Sequence, residues 1–224
     1  MRIVLLGPPG AGKGSLAFVV HKRLGVPHVS TGQIFRHEIR RKSALGRRVG
    51  RYVSSGRLVP DSLVVQVMVA QLGKQRFAKG FMLDGFPRTK GQAAGLDRVL
   101  TRRRLPLDGA VYLTSPEPLL VRRLSGRRIC VRCEANYHIR TMKPKRVGRC
   151  DNCAARLVTR KDDQPATIRQ RLRLDHKNTK PLLAYYQRRG LLYEINGVGH
   201  IERAYARAVA LFEGQGWIRP AGRA

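Results

Sequence analysis

A glycine-rich segment near the amino terminus constrains the fold more than any other part of the chain. Gly7, Gly12 and Lys13 meet the spacing G-x4-G-K, with an apolar run before the segment and a helical pattern after it. Glycine amides at this spacing enclose phosphate oxygens, and the lysine reaches the terminal phosphates. The hydroxyl comes one residue late, at Ser15, because Gly14 follows the lysine. We predict a strand, a phosphate-binding loop and a helix in this order.

Short apolar runs alternate with amphipathic helical patterns along much of the chain. Alternation of this kind favours a parallel sheet with helices on both faces. The expected fold class is α/β, a three-layer phosphate-loop sandwich around a central parallel five-stranded sheet. The predicted strands are Ile3–Leu6, Val26–Ser30, Gly80–Asp84, Gly109–Leu113 and Leu191–Asn196.

All four cysteines lie in a region, from about Arg127 to Lys161, where this alternation stops. Two Cys-x2-Cys pairs are separated by sixteen residues there, a spacing typical of two knuckles that bind one zinc ion. So short a segment has little apolar surface, and a metal can replace its core. Two disulfides or four unrelated thiols are the alternatives. We predict a structural zinc site with four ligands, Cys130, Cys133, Cys150 and Cys153.

The formal charge of +31 is unusual for 224 residues. Between residues 122 and 161 there are thirteen Lys or Arg against two acidic residues, a net charge of +11. Such an excess favours polyanionic partners. Three interpretations stay open: compositional bias, nonspecific nucleic-acid contact, and steering of nucleotides towards a site. No apolar run is long enough for a membrane span, and no secretory signal is recognised, so a cytoplasmic protein is expected.

Several motifs after the glycine-rich segment occur in a specific order. They are Ser30-Thr31-Gly32, Gly56–Asp61, Phe81–Thr89, Gly126-Arg127-Arg128, Tyr137-His138, and Arg160–Asp163 with Arg171 downstream. Together they resemble adenylate kinases, in the form with a long zinc-binding lid, over residues 2–212. The order Gly14-Ser15 after the lysine also resembles that family. The resemblance implies a monomer that reversibly transfers a phosphoryl group from Mg-ATP to AMP and yields two ADP.

The resemblance also implies a division of the chain. The core would carry a helical arm that binds the nucleoside monophosphate, and a small zinc-binding lid. The expected ranges are 1–29, 60–125 and 164–224 for the core, 30–59 for the arm and 126–163 for the lid.

Site residues follow from the resemblance, position by position. Arg123 would stack on the donor base, and Gln92 would read the edge of the AMP base. The ATP-binding residues would be Gly10, Ala11, Gly12, Lys13, Gly14, Ser15, Arg123, Arg127, Asn136, Tyr137 and Gly199. The AMP-binding residues would be Thr31, Arg36, Arg57, Leu58, Val59, Gly85, Arg88, Gln92, Arg160 and Arg171. The catalytic residues would be Lys13, Arg88, Arg127, Arg160 and Arg171.

Two roles are considered for each of Asp84, Tyr137 and the pair Asp162 and Asp163. Asp84 follows a buried strand and would organise water bound to magnesium, although it could instead cap a helix. Tyr137 would contact the donor or pack against the zinc knuckle. Asp162 and Asp163 would form a hinge or latch of the lid.

The sequence departs from the family pattern at Gln33, where aspartate is usual, and at Ala154, where glycine is usual. Loss of the acidic group is expected to weaken the use of magnesium without abolishing activity, because Asp84 remains. Two other functions are retained as alternatives: a basic nucleic-acid- or ribosome-associated binding protein on a kinase scaffold, and a kinase for another nucleoside monophosphate. The choice between ATP and GTP as donor is left open.

Overall fold

Strands form at the short apolar runs of the sequence in the computed structural model, which describes residues 1–219. All five predicted strands are present within two residues of their predicted bounds, which confirms the α/β class. In chain order the strands of this span are β1 (Arg2–Leu6), β2 (His28–Ser30), β3 (Phe81–Asp84), β4 (Gly109–Thr114), β5 (Arg127–Cys130), β6 (Asn136–His138), β7 (Leu157–Val158) and β8 (Leu192–Asn196).

Helices occupy most of the intervening segments. No helix of residues 1–219 is long and apolar enough to cross a membrane. Two short 3-10 helices cover Gln75–Phe77 and Lys161–Asp163. The α-helices are α1 (Lys13–Leu24), α2 (Thr31–Arg40), α3 (Ala44–Ser55), α4 (Asp61–Leu72), α5 (Lys90–Arg102), α6 (Glu117–Ser125), α7 (Pro165–Gln187) and α8 (Ile201–Gly214).

The chain divides into two compact units. The first unit comprises residues 1–32 and 59–115 and the chain from residue 175 onward. The second unit comprises residues 33–58 and 116–174. The five ranges predicted for core, arm and lid divide the chain more finely than these two units and stay a prediction.

The first unit is built on a parallel sheet in the order β2-β3-β1-β4-β8. On the central strand β1, Ile3, Val4 and Leu5 are at most 1% exposed, as expected for a strand covered on both faces. Helix α1 packs against β1, β2, β3 and α8, whereas α4 packs against α5. Leu5 pairs with Asp84 of β3, so the carboxyl ends of β1 and β3 lie side by side. Ligands of open α/β sheets bind at this edge.

The second unit holds the helices α2 (from Gln33), α3 and α6, the amino-terminal part of α7, and a small antiparallel sheet in the order β6-β5-β7. None of the predicted strands lies in the cysteine region, and the structure adds these three short strands. Cys130, Tyr137, Cys150 and Leu157 form the buried cluster of this sheet. The cysteines therefore make up half of a very small core, which agrees with a segment that depends on a metal.

Candidate functional site

The glycine-rich loop joins β1 to α1 in the first unit. Gly7 has a φ of 135°, and a Cβ at this position would lie 2.6 Å from the Leu113 carbonyl oxygen. Gly12 has a φ of 101° and is the N-cap of α1, where it brings no side-chain cap. A helix N-terminus of this kind is a common position for a phosphate group. The loop therefore has the backbone shape that the sequence predicted.

The side chain of Lys13 folds back over this loop. Its Nζ atom donates to the carbonyl oxygens of Gly7, at 2.5 Å, and Pro8, at 2.9 Å. These two carbonyls hold the ammonium group beside the loop. A triphosphate bound in the loop would meet a cation that is already in place.

Asp84 ends β3 beside the first turn of α1. A Cβ on Gly14 would lie 3.3 Å from Asp84 Oδ2, so the glycine after the lysine leaves room for this carboxylate. Desolvation opposes ionisation of Asp84, but His28, Lys13 and Arg88 together hold its pKa below the usual value. An ionised carboxylate beside a phosphate loop fits the oxygen donors that magnesium prefers. Asp84 therefore fits the predicted magnesium role.

Three predicted acceptor residues meet at the loop after β3. The Thr31 hydroxyl donates to the Gly85 carbonyl oxygen at 2.9 Å, and Arg88 Nε donates to the same oxygen at 3.0 Å. Gly85 has a φ of 76°, and a Cβ there would lie 3.0 Å from Thr31 Oγ1. The first unit therefore brings together Lys13, Asp84 and this acceptor group.

The amide of Gln92 is engaged within the protein. Its Oε1 atom accepts from the Arg88 backbone N–H at 2.8 Å, and its Nε2 atom donates to Asp61 Oδ1 at 2.9 Å. The other oxygen of Asp61 accepts from the Thr89 hydroxyl at 2.6 Å. Gln92 is only 2% exposed. In this structure it braces the segment that carries Arg88, and reading of a base edge stays a prediction that requires these hydrogen bonds to be exchanged.

In the second unit, two predicted catalytic arginines share one buried carboxylate. Arg127 donates to both oxygens of Asp163, at 2.7 Å from Nε and 2.5 Å from Nη2. Arg171 Nη1 lies 2.9 Å from Asp163 Oδ1 and 2.9 Å from Asp162 Oδ2. The side chain of Asp163 is fully buried. These aspartates hold two guanidinium groups side by side, and their role as a hinge or latch of the lid stays a prediction.

Arg160 completes an arginine cluster around Asp162, which also contains Arg36, Arg127 and Arg171. Desolvation and the nearby charges of Arg127 and Arg36 lower its pKa to about 9. Its Nη2 atom lies 3.4 Å from Asn136 Oδ1. Because several guanidinium groups crowd each other here despite two aspartates, an added phosphoryl group would be electrostatically favourable.

The remaining predicted residues lie as follows. Arg57 is exposed, and its Nε atom donates to Ser55 Oγ. Val59 is buried, and Leu58 is half-buried. Gly199 has a φ of 100°. Desolvation, followed by the charge of Arg122, lowers the pKa of Arg123.

Tyr137 lies in the cysteine cluster. Its hydroxyl oxygen is 3.4 Å from Cys150 Sγ and accepts from the Asp151 backbone N–H at 2.7 Å. The side chain is buried, as the packing interpretation expected. Burial and the hydrogen bond with Cys150 raise the pKa of Tyr137 to about 12. Its contact with a donor nucleotide stays a prediction.

The four cysteine sulfur atoms converge on one point. All four lie within 4.8 Å of one another, and the Cys130–Cys153 and Cys133–Cys150 separations are both 3.4 Å. A disulfide requires about 2.05 Å, whereas sulfurs tetrahedrally bound to zinc at about 2.3 Å lie slightly less than 4 Å apart. The donor set therefore fits structural zinc. Four protein ligands fill its coordination shell, so the metal would stabilise the lid without touching substrate.

Replacing any one of these cysteines by serine is expected to lower zinc from about one ion to near zero per chain. The melting temperature should fall by about 5 °C, which corresponds to about 2 kcal/mol in a chain of this size. Metal analysis and calorimetry check this result, with chelator-treated wild-type protein as the control. Two disulfides in the unreduced native protein would contradict it.

Sequence reasoning missed some of the polar partners of the site. His28 faces Asp84, with Nε2 and Oδ2 3.7 Å apart. Asp61, although quoted within a motif, received no role. Glu134, next to a cysteine, pairs with Arg36 and Arg40. The sequence offered one signal for these three residues: each is charged or titratable and lies within or beside a motif.

Comparisons with known proteins agree with this geometry. The sequence model of the adenylate kinase family matches residues 5–191. An adenylate kinase of Clostridium botulinum (strain 657 / Type Ba4) is 44% identical over 92% of this chain and 95% of its own length. Those of Moorella thermoacetica and Acetivibrio thermocellus are 47% and 44% identical, each over 88% of this chain and 91% of its own length. The chain therefore belongs to the adenylate kinase family, whose members are phosphotransferases that use Mg-ATP.

Proposed function

We propose that this enzyme reversibly transfers the terminal phosphoryl group of Mg-ATP in line to AMP and forms two ADP. One observation carries the proposal: a Cβ on Gly14, the residue after Lys13, would lie 3.3 Å from Asp84 Oδ2, and Arg88 Nε donates at 3.0 Å to the carbonyl oxygen of Gly85, the residue after Asp84. Donor and acceptor phosphates require cations at one place, because phosphoryl transfer depends on positioning and charge stabilisation.

The donor would be held by the phosphate loop and the lid. Amides from Gly10 to Ser15 enclose the triphosphate, and Lys13 neutralises its terminal phosphates. Arg127 reaches the same phosphates while Arg123 stacks on the base. The other donor contacts of this proposal are Asn136, Tyr137 and Gly199.

The acceptor would be held by the loop after β3 and by the arm. Arg36 and Arg88 grip the phosphate of AMP, and Gln92 reads the base edge after releasing its internal partners. Arg160 and Arg171 move onto the transferred group, where guanidinium geometry suits two phosphate oxygens at once. The other acceptor contacts are Thr31, Arg57, Leu58, Val59 and Gly85.

Water must be kept away from the reacting phosphates. We propose that an arm at 30–59 and a lid at 126–163 close over the nucleotides bound to the rest of the chain. Magnesium would supply charge neutralisation to the phosphates of ATP, and Asp84 would orient the water around it. We further propose a monomer that works in the cytoplasm.

Gln33, which replaces the usual acidic residue, gives a test of the magnesium role. It is exposed on α2. Gln33→Asp is expected to lower the magnesium concentration for half-maximal rate about twofold to fivefold, the effect of one added charge near the metal. A magnesium titration at fixed total ATP measures this shift, with Gln33→Asn as the control. Identical half-saturation in all three proteins would contradict the role.

The acceptor test compares AMP, GMP, CMP and UMP with ATP as donor. The kcat/KM for AMP is expected to exceed that for each other monophosphate by at least about tenfold, because buried polar groups reject a base that leaves them unpaired. A higher kcat/KM for another monophosphate would identify that nucleotide, and not AMP, as the acceptor. No transfer to any of the four would contradict the proposed function.

Nonspecific nucleic-acid contact is a second candidate function, favoured by the charge of the lid. Its exposed basic residues are Arg132, Arg140, Lys143, Lys145, Arg146, Arg149, Arg156 and Lys161. Binding of a single-stranded RNA oligonucleotide is expected to fall steeply between 50 and 200 mM salt. Kinase activity without such binding would leave only the first function.

A further inference from the structure

Glu134 has an unusual backbone conformation directly after the second cysteine of its knuckle. Its φ of 58° lies in the left-handed region, which non-glycine residues seldom adopt. Ala154 holds the equivalent place in the other knuckle with a φ of 56°, and its short side chain is exposed. The turn therefore does not require a long side chain. The carboxylate of Glu134 needs another explanation.

That carboxylate is buried against two arginines of α2. Arg36 and Arg40 lie one helical turn apart, on the same face of the helix. Arg40 Nη1 donates to Glu134 Oε1 at 2.6 Å, and Arg36 Nη2 lies 3.5 Å from Glu134 Oε2. The side chain of Glu134 is only 9% exposed. A carboxylate this buried depends on its cationic partners.

The two oxygens of Glu134 have different surroundings. Oε1 forms a short hydrogen bond with Arg40, whose side chain is 43% exposed. Oε2 is buried and makes no hydrogen bond in the described part of the chain, although it faces Arg36. Arg40 is thus the anchor of the carboxylate. Glu134 Oε2 meets Arg36 through an ion pair of 3.5 Å, without a hydrogen bond between the two.

Arg36 belongs electrostatically to the arginine cluster of the second unit. Desolvation and the charge of Arg127 lower the pKa of Arg160, and the charge of Arg36 adds to them. Desolvation raises the pKa of Asp162, but the charges of several arginines, including Arg36, lower it overall. Glu134 therefore introduces a negative charge at the edge of a cluster whose proposed ligands are phosphoryl groups.

We propose that Glu134 is an internal competitor of the AMP phosphate for Arg36, anchored by Arg40. The inference rests on the proposed acceptor role of Arg36. When AMP binds, its phosphate oxygens take the place of Oε2 at Arg36, while Arg40 retains Oε1. Glu134 is a positioning residue that touches no reacting atom, and it keeps AMP affinity below the value that the arginines alone would give.

The test measures the Kd of AMP by calorimetric titration without a donor nucleotide. Glu134→Gln is expected to tighten AMP binding about fivefold, at the low end of typical coupling between linked sites. Arg40→Gln removes the anchor, leaves the carboxylate to Arg36 alone, and should weaken AMP binding. In the Glu134→Gln background the same Arg40 change should alter the Kd by less than about twofold, because the competitor is gone.

Asp151→Asn is the matched control, since it removes one exposed negative charge beside a cysteine of the other knuckle. It should leave the Kd of AMP unchanged. Zinc content and melting temperature are measured for every variant, and Glu134→Ala, which copies the Ala154 knuckle, replaces Glu134→Gln if the latter folds poorly.

Unchanged or weaker AMP binding in a folded, zinc-containing Glu134 variant would overturn the inference, because removal of a competitor must tighten AMP binding. Failure of the proposed function looks different. A wild-type protein that does not bind AMP at all would contradict the acceptor role of Arg36 itself.

Discussion

Lys13→Met is expected to lower kcat by a factor on the order of 10² to 10³. The Lys13 ammonium group lies over the phosphate loop, held by the carbonyl oxygens of Gly7 and Pro8. Methionine keeps the length and apolar stem of the side chain but removes the charge that would stabilise the transferred phosphoryl group. Since the loop shape comes from glycines, the melting temperature should change by less than about 2 °C. Steady-state ADP formation from ATP and AMP measures the effect.

The matched control is Lys22→Met, an exposed lysine on the same helix. It removes the same charge from the chain and should keep full activity, so a decrease in both variants would indicate general loss of charge steering. A Lys13→Met protein with near wild-type kcat would remove the phosphate loop from the mechanism.

Asp163→Asn is expected to lower the free energy of unfolding by about 3 kcal/mol. The carboxylate is fully buried and pairs with Arg127 through two hydrogen bonds and with Arg171 through one. An amide cannot accept from both arginines through two charged oxygens, so Arg127 would lose this charge partner and Arg171 would keep only Asp162. Denaturant unfolding followed by circular dichroism measures the loss. A change below about 1 kcal/mol would contradict the central position of Asp163.

Asp162→Asn is the comparison. Asp162 pairs with Arg171, as Asp163 does, but the side chain of Asp162 is 14% exposed. A smaller loss of about 1 to 2 kcal/mol is expected at neutral pH. Desolvation opposes ionisation of Asp162, but Arg171 and further arginines lower its pKa in the folded protein. A lowered folded pKa gives stability above the unfolded value of about 3.9, and this stability is lost as pH falls towards the folded pKa. The difference between wild type and Asp162→Asn should therefore shrink below about pH 4.

Local signals predicted the sheet and the phosphate loop well. Each strand of the main sheet is a short, nearly continuous apolar run, and G-x4-G-K fixes a backbone shape through Gly7 and Gly12. The cysteine pairs also predicted their own convergence. The strands and the loop depend on residues within a few positions of the chain, whereas the two cysteine pairs, sixteen residues apart, are linked by their shared metal-binding chemistry.

Contacts between distant positions could not be predicted. Glu134 and Arg40 are 94 residues apart in the sequence, and Gln92 and Asp61 are 31 apart. The family resemblance assigned Gln92 to a base edge, but nothing in the sequence shows that its amide hydrogen-bonds to Asp61 and to the Arg88 backbone. Likewise Arg127 and Arg171 were both predicted as catalytic residues, but their shared carboxylate, Asp163, became clear only from the fold.

The central claim is phosphoryl transfer between two bound nucleotides, and its most direct measurement starts from ADP alone. Purified enzyme is mixed with ADP and magnesium, and phosphorus NMR follows the products. Because the proposed reaction is reversible, ATP and AMP should appear in equal amounts, stop at an equilibrium mixture, and fail to appear with Lys13→Met. Release of inorganic phosphate without AMP and ATP in equal amounts, or no reaction at all, would contradict phosphoryl transfer between two bound nucleotides.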